Sequence, residues 1–265
     1  MAEGEYGEVR MTAGKRLIVV LGMHRSGTST VIKGLEALGV NLGTDFHPIR
    51  PDNPKGDWEA KAFHGLNEEM LGKLGRSWDD LEALDEAKVL GFCAEDFFSR
   101  GLSALHAHIR DDAVSGIKDP RFALLLPFWQ RVFVEAGLDV SYVICLRNPL
   151  SVAHSLSRRD GFTTAKGLGL WRLYNTHIAS GTASACRVVV DYDALLDDSK
   201  SQLLRVARFL KLTMNDLVEA EFSSEFLDPA LRHARFAHAD LRMDTNYDPL
   251  VLQLYQTLGF EALKN

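Results

Sequence analysis

The fold is decided by the stretch Leu17-Ile18-Val19-Val20-Leu21-Gly22-Met23-His24-Arg25-Ser26-Gly27-Thr28-Ser29. Its opening residues, 17–21, form a continuous apolar run, which is typical of a strand that is buried on both faces of a parallel sheet. Apolar residues then recur at helical spacing over residues 31–38, and Gly39 is suited to end a helix. The stretch therefore predicts a strand, a glycine-containing loop and a helix in succession.

The loop between this strand and helix has the spacing Gly-x-x-x-x-Gly-Thr-Ser over residues 22–29. That is the spacing of a phosphate-binding P-loop, with Thr28 in the position of its lysine. Backbone N–H groups of such a loop, together with the positive end of the following helix, attract phosphate. Because the lysine normally reaches the β- and γ-phosphates of a triphosphate, its absence disfavours triphosphate chemistry.

The alternation of strands and helices continues along the chain. Further strands are predicted at residues 114–118, 140–146 and 187–192. Helices are predicted at residues 60–74, 94–109, 122–136, 150–158, 168–180, 199–210 and 249–258. This order predicts an α/β fold of three layers, in which helices cover both faces of a central, mostly parallel sheet.

One domain is predicted over residues 16–265, preceded by a disordered tail at residues 1–15. The tail is polar and acidic and lacks the apolar segment of a signal peptide. Residues 228–248 are rich in charge, His and Arg but poor in apolar periodicity. They are the candidate for a mobile lid or substrate loop.

Composition excludes some classes of protein. The net charge of −6 argues against a general nucleic-acid binder, because such proteins neutralise phosphates with a basic surface. No apolar run approaches the ~18 residues that a membrane span needs. Cys145 and Cys186 lie in apolar, strand-like runs and are predicted to be small core residues. Unpaired cysteines fit a reducing compartment, so a cytoplasmic location is expected.

Three motifs lie in order along the chain: residues 22–29, Lys118-Asp119-Pro120-Arg121, and Arg147-Asn148-Pro149 with Ser155. They resemble the 5′-phosphosulfate loop, a Lys-Asp-Pro element and the 3′-phosphate motif of sulfotransferases that use 3′-phosphoadenosine-5′-phosphosulfate (PAPS). The Lys-Asp-Pro element resembles that of tyrosylprotein and related bacterial enzymes. Further signatures that resemble a bacterial branch are found at residues 53–59, Trp78-Asp79-Asp80 and Leu231-Arg232-His233.

The resemblance implies a P-loop-NTPase-like sulfotransferase fold and an enzyme that moves the sulfuryl group of PAPS, releasing 3′-phosphoadenosine-5′-phosphate (PAP). It implies a hydroxyl acceptor, with an amine as the alternative, on a carbohydrate, a lipid or a small natural product. Arg147 ends a predicted strand, and Ser155 and Arg159 follow on one face of the next helix, where they suit an anion. The implied cofactor-binding residues are Gly22, His24, Arg25, Ser26, Gly27, Thr28, Ser29, Arg147, Ser155, Arg159 and Tyr192.

Sulfuryl transfer builds negative charge on the bridging oxygen and on the leaving phosphate, so the site needs cations and a base for the acceptor. Arg25 and Lys118 are the predicted cations. Glu59 is favoured as the base by the resemblance to the tyrosylprotein enzymes. His24 and His64 are the alternatives, because histidine titrates near neutral pH. No metal is expected, since no Cys/His cluster has the spacing of a zinc site.

Two other functions remain open. A P-loop kinase or another nucleotide-handling enzyme would share the loop and the sheet, but it should carry a lysine after Gly27 and depend on Mg²⁺. A PAPS-binding module without catalysis would not need Arg25, Lys118 and Glu59 together. The expected partner is a small-molecule or glycan acceptor, and no nucleic acid is expected.

Overall fold

A central sheet organises the molecule in the computed structural model, which describes residues 14–49, 55–109, 113–227, 235–246 and 248–264. Its strands are β1 (Arg16–Leu21), β2 (Val114–Lys118), β3 (Asp139–Leu146) and β4 (Arg187–Asp191). They pair in the order β2-β1-β3-β4, and every pairing is parallel. The carboxyl ends of all four strands therefore lie at one edge of the sheet, which is where ligands bind in open α/β folds.

Helices connect the strands and flank the sheet. Within the described ranges they are α1 (Thr28–Glu36), α2 (Lys61–Lys73), α3 (Glu86–Gly91), α4 (Asp96–Ile109), α5 (Leu126–Glu135), α6 (Pro149–Asp160), α7 (Thr164–Gly181), α8 (Tyr192–Asp197), α9 (Ser199–Leu210), α10 (Asp216–Glu221), α11 (His238–Met243) and α12 (Pro249–Lys264). None of the described helices is long and apolar enough to cross a membrane.

The sheet separates two hydrophobic clusters, because alternate residues of a strand point to opposite faces. Val19 of β1 belongs to one cluster, which includes Trp129 of α5 and Trp171 of α7. Its neighbour Val20 belongs to the other cluster, with residues of α1 and α9 such as Leu203. The predicted three layers are thereby confirmed, with helices on both faces of a parallel sheet.

The predicted strands and longer helices are all present, but two details differ. The helix predicted at residues 122–136 begins only at Leu126. Before it, the Asp119 carboxylate accepts a hydrogen bond from the Arg121 N–H, and residues 120–123 form a separate 3₁₀ turn. The short helices α3, α8, α10 and α11 were not predicted. Each has only six residues, which is too short for an apolar period to show.

The prediction for the cysteines is half right. Cys145 lies on β3 and is buried, but Cys186 is exposed. Cys186 comes directly before β4 begins, and among the described strands β4 has a neighbour on one side only, so it is an edge strand. An apolar run in sequence therefore did not place its first residue in the core.

Several sequence features lie outside the described residues: most of the tail, Asn53 and Pro54, the Leu231-Arg232-His233 motif, and residues 228–234 and 247 of the candidate lid. The described part of that segment contacts the core. Leu241 of α11 is fully buried, and the Asn148 side-chain amide donates a 2.9 Å hydrogen bond to the Phe236 carbonyl. Residues near Phe236 are thus attached to the start of α6.

Candidate active site

A cleft opens at the carboxyl edge of the sheet. Strand ends, the loop after β1 and the segment before α2 all contribute to it. Of the predicted site residues, Gly22, Ser26 and Ser155 do not line it. Those that do are His24, Arg25, Gly27, Thr28, Ser29, Glu59, Lys118, Arg147, Arg159 and Tyr192.

The loop after β1 depends on its backbone conformation. Arg25 and Gly27 both adopt the left-handed region, with φ of 68° and 86°. A Cβ on Gly27 would lie 2.0 Å from the ring of Tyr192, so this position requires glycine for space as well as for its φ. Within the described ranges, no side chain caps the N-terminus of α1, which leaves its first N–H groups for a ligand.

Arg147 lies at the end of β3, where the chain enters α6. Its Nη1 donates a 2.8 Å hydrogen bond to the Arg25 carbonyl, and its guanidinium lies 4.7 Å from the centroid of the Tyr192 ring. The indole N–H of Trp171 donates to the Arg147 carbonyl at 3.0 Å, which fixes the backbone. The buried Nε of Arg147 has no partner among the described residues, so a donor remains for an anion.

Arg25 is held at the cleft by Ser155, whose hydroxyl accepts a 2.9 Å hydrogen bond from the Arg25 Nε. That Ser155 shares an anion with Arg147 stays a prediction; its observed contact is with Arg25. Burial, followed by the nearby Arg159 and Arg147, lowers the pKa of Arg25. This crowding of positive charge favours an anion in the cleft. Arg159 also lines the cleft and forms a 2.9 Å ion pair with Asp160.

On the opposite side of the loop, Lys118 and Glu59 form a buried ion pair. The Lys118 ammonium at the end of β2 lies 2.7 Å from Glu59 Oε1. It also donates to the Asp57 carbonyl at 2.7 Å and to the Ser29 hydroxyl at 3.4 Å. The predicted second cation and the predicted base are thus direct neighbours, which their spacing in sequence did not show.

The alternative bases, His24 and His64, lie in different surroundings. His24 lines the cleft and packs against Trp78, with ring centroids 4.4 Å apart. Its Nε2 is buried without a partner among the described residues. Burial first, and then Arg121 and other nearby cations, lower the pKa of His24 well below its ordinary value. His64 does not line the cleft, and its Nδ1 lies 2.7 Å from Nε2 of His47.

Arg121 ends the motif Lys118-Asp119-Pro120-Arg121, from which no role was predicted for it. In the structure it is buried, and its Nη1 lies 3.5 Å from Glu59 Oε2. Arg121 follows the strand-end residue Lys118 by three positions, in the turn after β2, and this proximity was the available signal.

Comparisons with known proteins identify the fold. No family model and no curated protein matches the chain. The sulfotransferase domain of the Synechococcus PCC 7002 olefin synthase superposes with a TM-score of 0.56 and 18% identity, covering 97% of this chain and 98% of that one. The sulfotransferase domain from the curacin biosynthetic pathway gives a TM-score of 0.52 and 15% identity, covering 94% and 99%.

A third structure, retinol dehydratase in complex with androsterone and inactive cofactor PAP, aligns over 94% of this chain and 81% of its own, with 15% identity. Its TM-score of 0.41 is too low to support a conclusion about this chain. The first two structures, by contrast, align along almost their entire length. This chain therefore has the fold of sulfotransferase domains over nearly its full length.

Proposed function

We propose that this chain is a PAPS-dependent sulfotransferase that acts on a hydroxyl of a small-molecule, lipid or carbohydrate acceptor. One observation carries the proposal. A single cleft combines a glycine-containing loop, which carries Arg25 and accepts a hydrogen bond from Arg147, with a buried Lys118–Glu59 pair. The first part suits a ligand with several anionic groups, and the second supplies the cation and the base that sulfuryl transfer needs.

The residues present fit PAPS. The loop offers N–H groups at the start of α1 for the 5′-phosphosulfate, with Arg25 beside them. Arg147, which has an unused buried donor, suits the 3′-phosphate, as does Arg159. Tyr192 and the cleft residues Leu196, Phe226 and Leu227 offer an apolar surface for the adenine base.

When bound, PAPS supplies a sulfuryl group on a phosphate leaving group, so that the acceptor O–S bond forms as the S–O bond to the 5′-phosphate breaks. Glu59 takes the proton of the acceptor hydroxyl. Lys118 donates a hydrogen bond where charge develops on the departing oxygen. In this structure the Lys118 ammonium contacts both Glu59 and the Asp57 carbonyl, so it must turn from Glu59 to meet the departing oxygen.

Glu59 is preferred over His24 because its carboxylate already contacts the cation that it must work beside. The Nε2 of His24, in contrast, is buried without a partner among the described residues, and its ring packs against Trp78. The variant Glu59→Gln keeps the shape of the side chain and removes the carboxylate that acts as the base. We expect its turnover with PAPS to fall by about 10²- to 10⁴-fold while PAP affinity stays close to that of the wild type.

The test is incubation with PAPS and a pooled acceptor library, followed by mass spectrometry for added sulfate. Glu69→Gln is the matched control, because it makes the same change on the exposed face of α2, in a surface ion pair with Arg100. Near-normal turnover of Glu59→Gln would remove Glu59 from the mechanism. Absence of both PAP binding and sulfate transfer in the wild-type protein would refute the proposed function.

A further inference from the structure

Glu59 is held by two cations, one on each carboxylate oxygen. Lys118 contacts Oε1 at 2.7 Å, and Arg121 contacts Oε2 at 3.5 Å. The two differ in position, because Lys118 lines the cleft and Arg121 does not. Lys118 is therefore placed to meet a ligand, whereas Arg121 reaches the cleft only through Glu59.

Arg121 also forms ion pairs with two further carboxylates. Its Nη1 lies 3.1 Å from Oδ1 of Asp119, which is fully buried, and its Nε donates to Glu68 of α2. Burial, the largest influence, lowers the pKa of Arg121, but Asp119, Glu59 and Glu68 outweigh it and hold the pKa above its ordinary value. The guanidinium is thus permanently charged and anchored to both α2 and the turn after β2.

We propose that Arg121 is the positioning residue for Glu59, an inference that rests on the proposed function. Lys118 has two partners in succession: Glu59 before the donor arrives, and the departing oxygen during transfer. Once Lys118 turns away, the carboxylate would be free to rotate. Arg121 keeps its ion pair with Oε2 and so preserves the orientation in which Glu59 takes the acceptor proton.

The experiment compares Arg121→Gln, Arg121→Lys, Glu59→Gln and the double variant Glu59→Gln/Arg121→Gln. We expect Arg121→Gln to lower kcat by about 10- to 100-fold, as a misaligned base would, with PAP affinity by calorimetry changed less than about threefold. Arg121→Lys keeps the charge and should recover part of the loss. The double variant should be no slower than Glu59→Gln alone, because the positioning acts only through the carboxylate.

Arg100→Gln is the control, since Arg100 also pairs with two carboxylates but on the surface of α4. Its kcat should match the wild type. A crystal structure of Arg121→Gln with PAP gives a readout apart from turnover, and we expect the Glu59 carboxylate to be rotated there relative to the wild type. If Arg121→Gln does not fold, Arg121→Lys replaces it in the double variant and in the crystal structure.

Two outcomes would overturn the role of Arg121: kcat losses that multiply in the double variant, or an unmoved Glu59 carboxylate in the variant structure. A loss confined to PAP affinity would also do so, because it would make Arg121 a ligand contact. These results are distinct from failure of the proposed function, which appears as a wild-type protein that neither binds PAP nor transfers sulfate.

Discussion

Gly27 lies where the loop after β1 meets the ring of Tyr192. In Gly27→Ala, the new Cβ would lie 2.0 Å from that ring, at a φ of 86° that alanine disfavours. Either the ring or the loop must move, and we expect a loss of about 3 kcal/mol in unfolding free energy. PAP binding should be lost with it. Urea unfolding and calorimetric titration with PAP measure the two effects.

The control for this prediction is Gly39→Ala. Gly39 has a φ of 78°, but an added Cβ there would meet nothing within 4 Å. We expect only the cost of the left-handed backbone, about 1 kcal/mol, and unchanged PAP affinity. Equal stability losses in the two variants would show that contact with Tyr192 does not constrain the loop.

His24 predicts a dependence of stability on pH. Its pKa in the folded protein is lowered well below 6.5, chiefly by burial. Between that lowered pKa and the unfolded value of about 6.5, the unfolded chain binds more protons, so stability falls as the pH falls. His24→Phe keeps an aromatic ring against Trp78 and removes this effect. From about pH 7.5 to 5.5, we expect the unfolding free energy of the wild type to fall by about 1 kcal/mol more than that of the variant.

Urea titrations of both proteins at several pH values measure this difference. Parallel stability curves for the wild type and His24→Phe would contradict a buried, neutral imidazole.

At the scale of elements, the packing of α6 against α7 positions two candidate site residues. An added Cβ on Gly167 of α7 would lie 2.7 Å from the Cα and Cβ of Ala153 on α6. Gly167→Ala should therefore push α6 aside, and α6 carries Ser155 and Arg159. We expect a stability loss of about 1–3 kcal/mol in urea unfolding and weaker PAP binding.

Gly65→Ala is the matched helical control. Gly65 lies inside α2, is exposed, and has nothing within 4 Å of an added Cβ. Here alanine should raise the unfolding free energy by about 0.5–1 kcal/mol, because it is the better helix former. If Gly167→Ala were also stabilising, close contact between α6 and α7 would not be what requires glycine.

At the scale of the whole molecule, ligand binding should stabilise the fold, because the cleft joins strand ends, α1 and α6. With PAP at about 100 times its Kd, we expect about 2.7 kcal/mol of added stability, or a rise of about 5 °C or more in Tm. Thermal unfolding with PAP and with ATP plus Mg²⁺ measures this directly. A larger shift with ATP and Mg²⁺ would favour the nucleotide-handling alternative.

The longer strands and helices could be predicted from the sequence because their signals are local. The apolar run at residues 17–21, the helical period that follows, and the polar residues that end β2 and β3 each require only neighbouring positions. Lys118 and Arg147 could be assigned to one edge for the same reason, since parallel strands bring their carboxyl ends together. The six-residue helices could not be predicted from the sequence, because they contain too few apolar positions to show a period.

Local patterns in the sequence were enough to predict the order of elements, the glycine-containing loop after β1 and the residues that follow each strand. They did not predict which of these residues are in contact. The tertiary structure joined Glu59 to Lys118 and Arg121, directed Ser155 to Arg25, and left Cys186 exposed at an edge strand. The physical reason is that secondary structure follows from local periodicity and backbone preference. Ion pairs and burial, in contrast, depend on how distant segments pack, which no local pattern records.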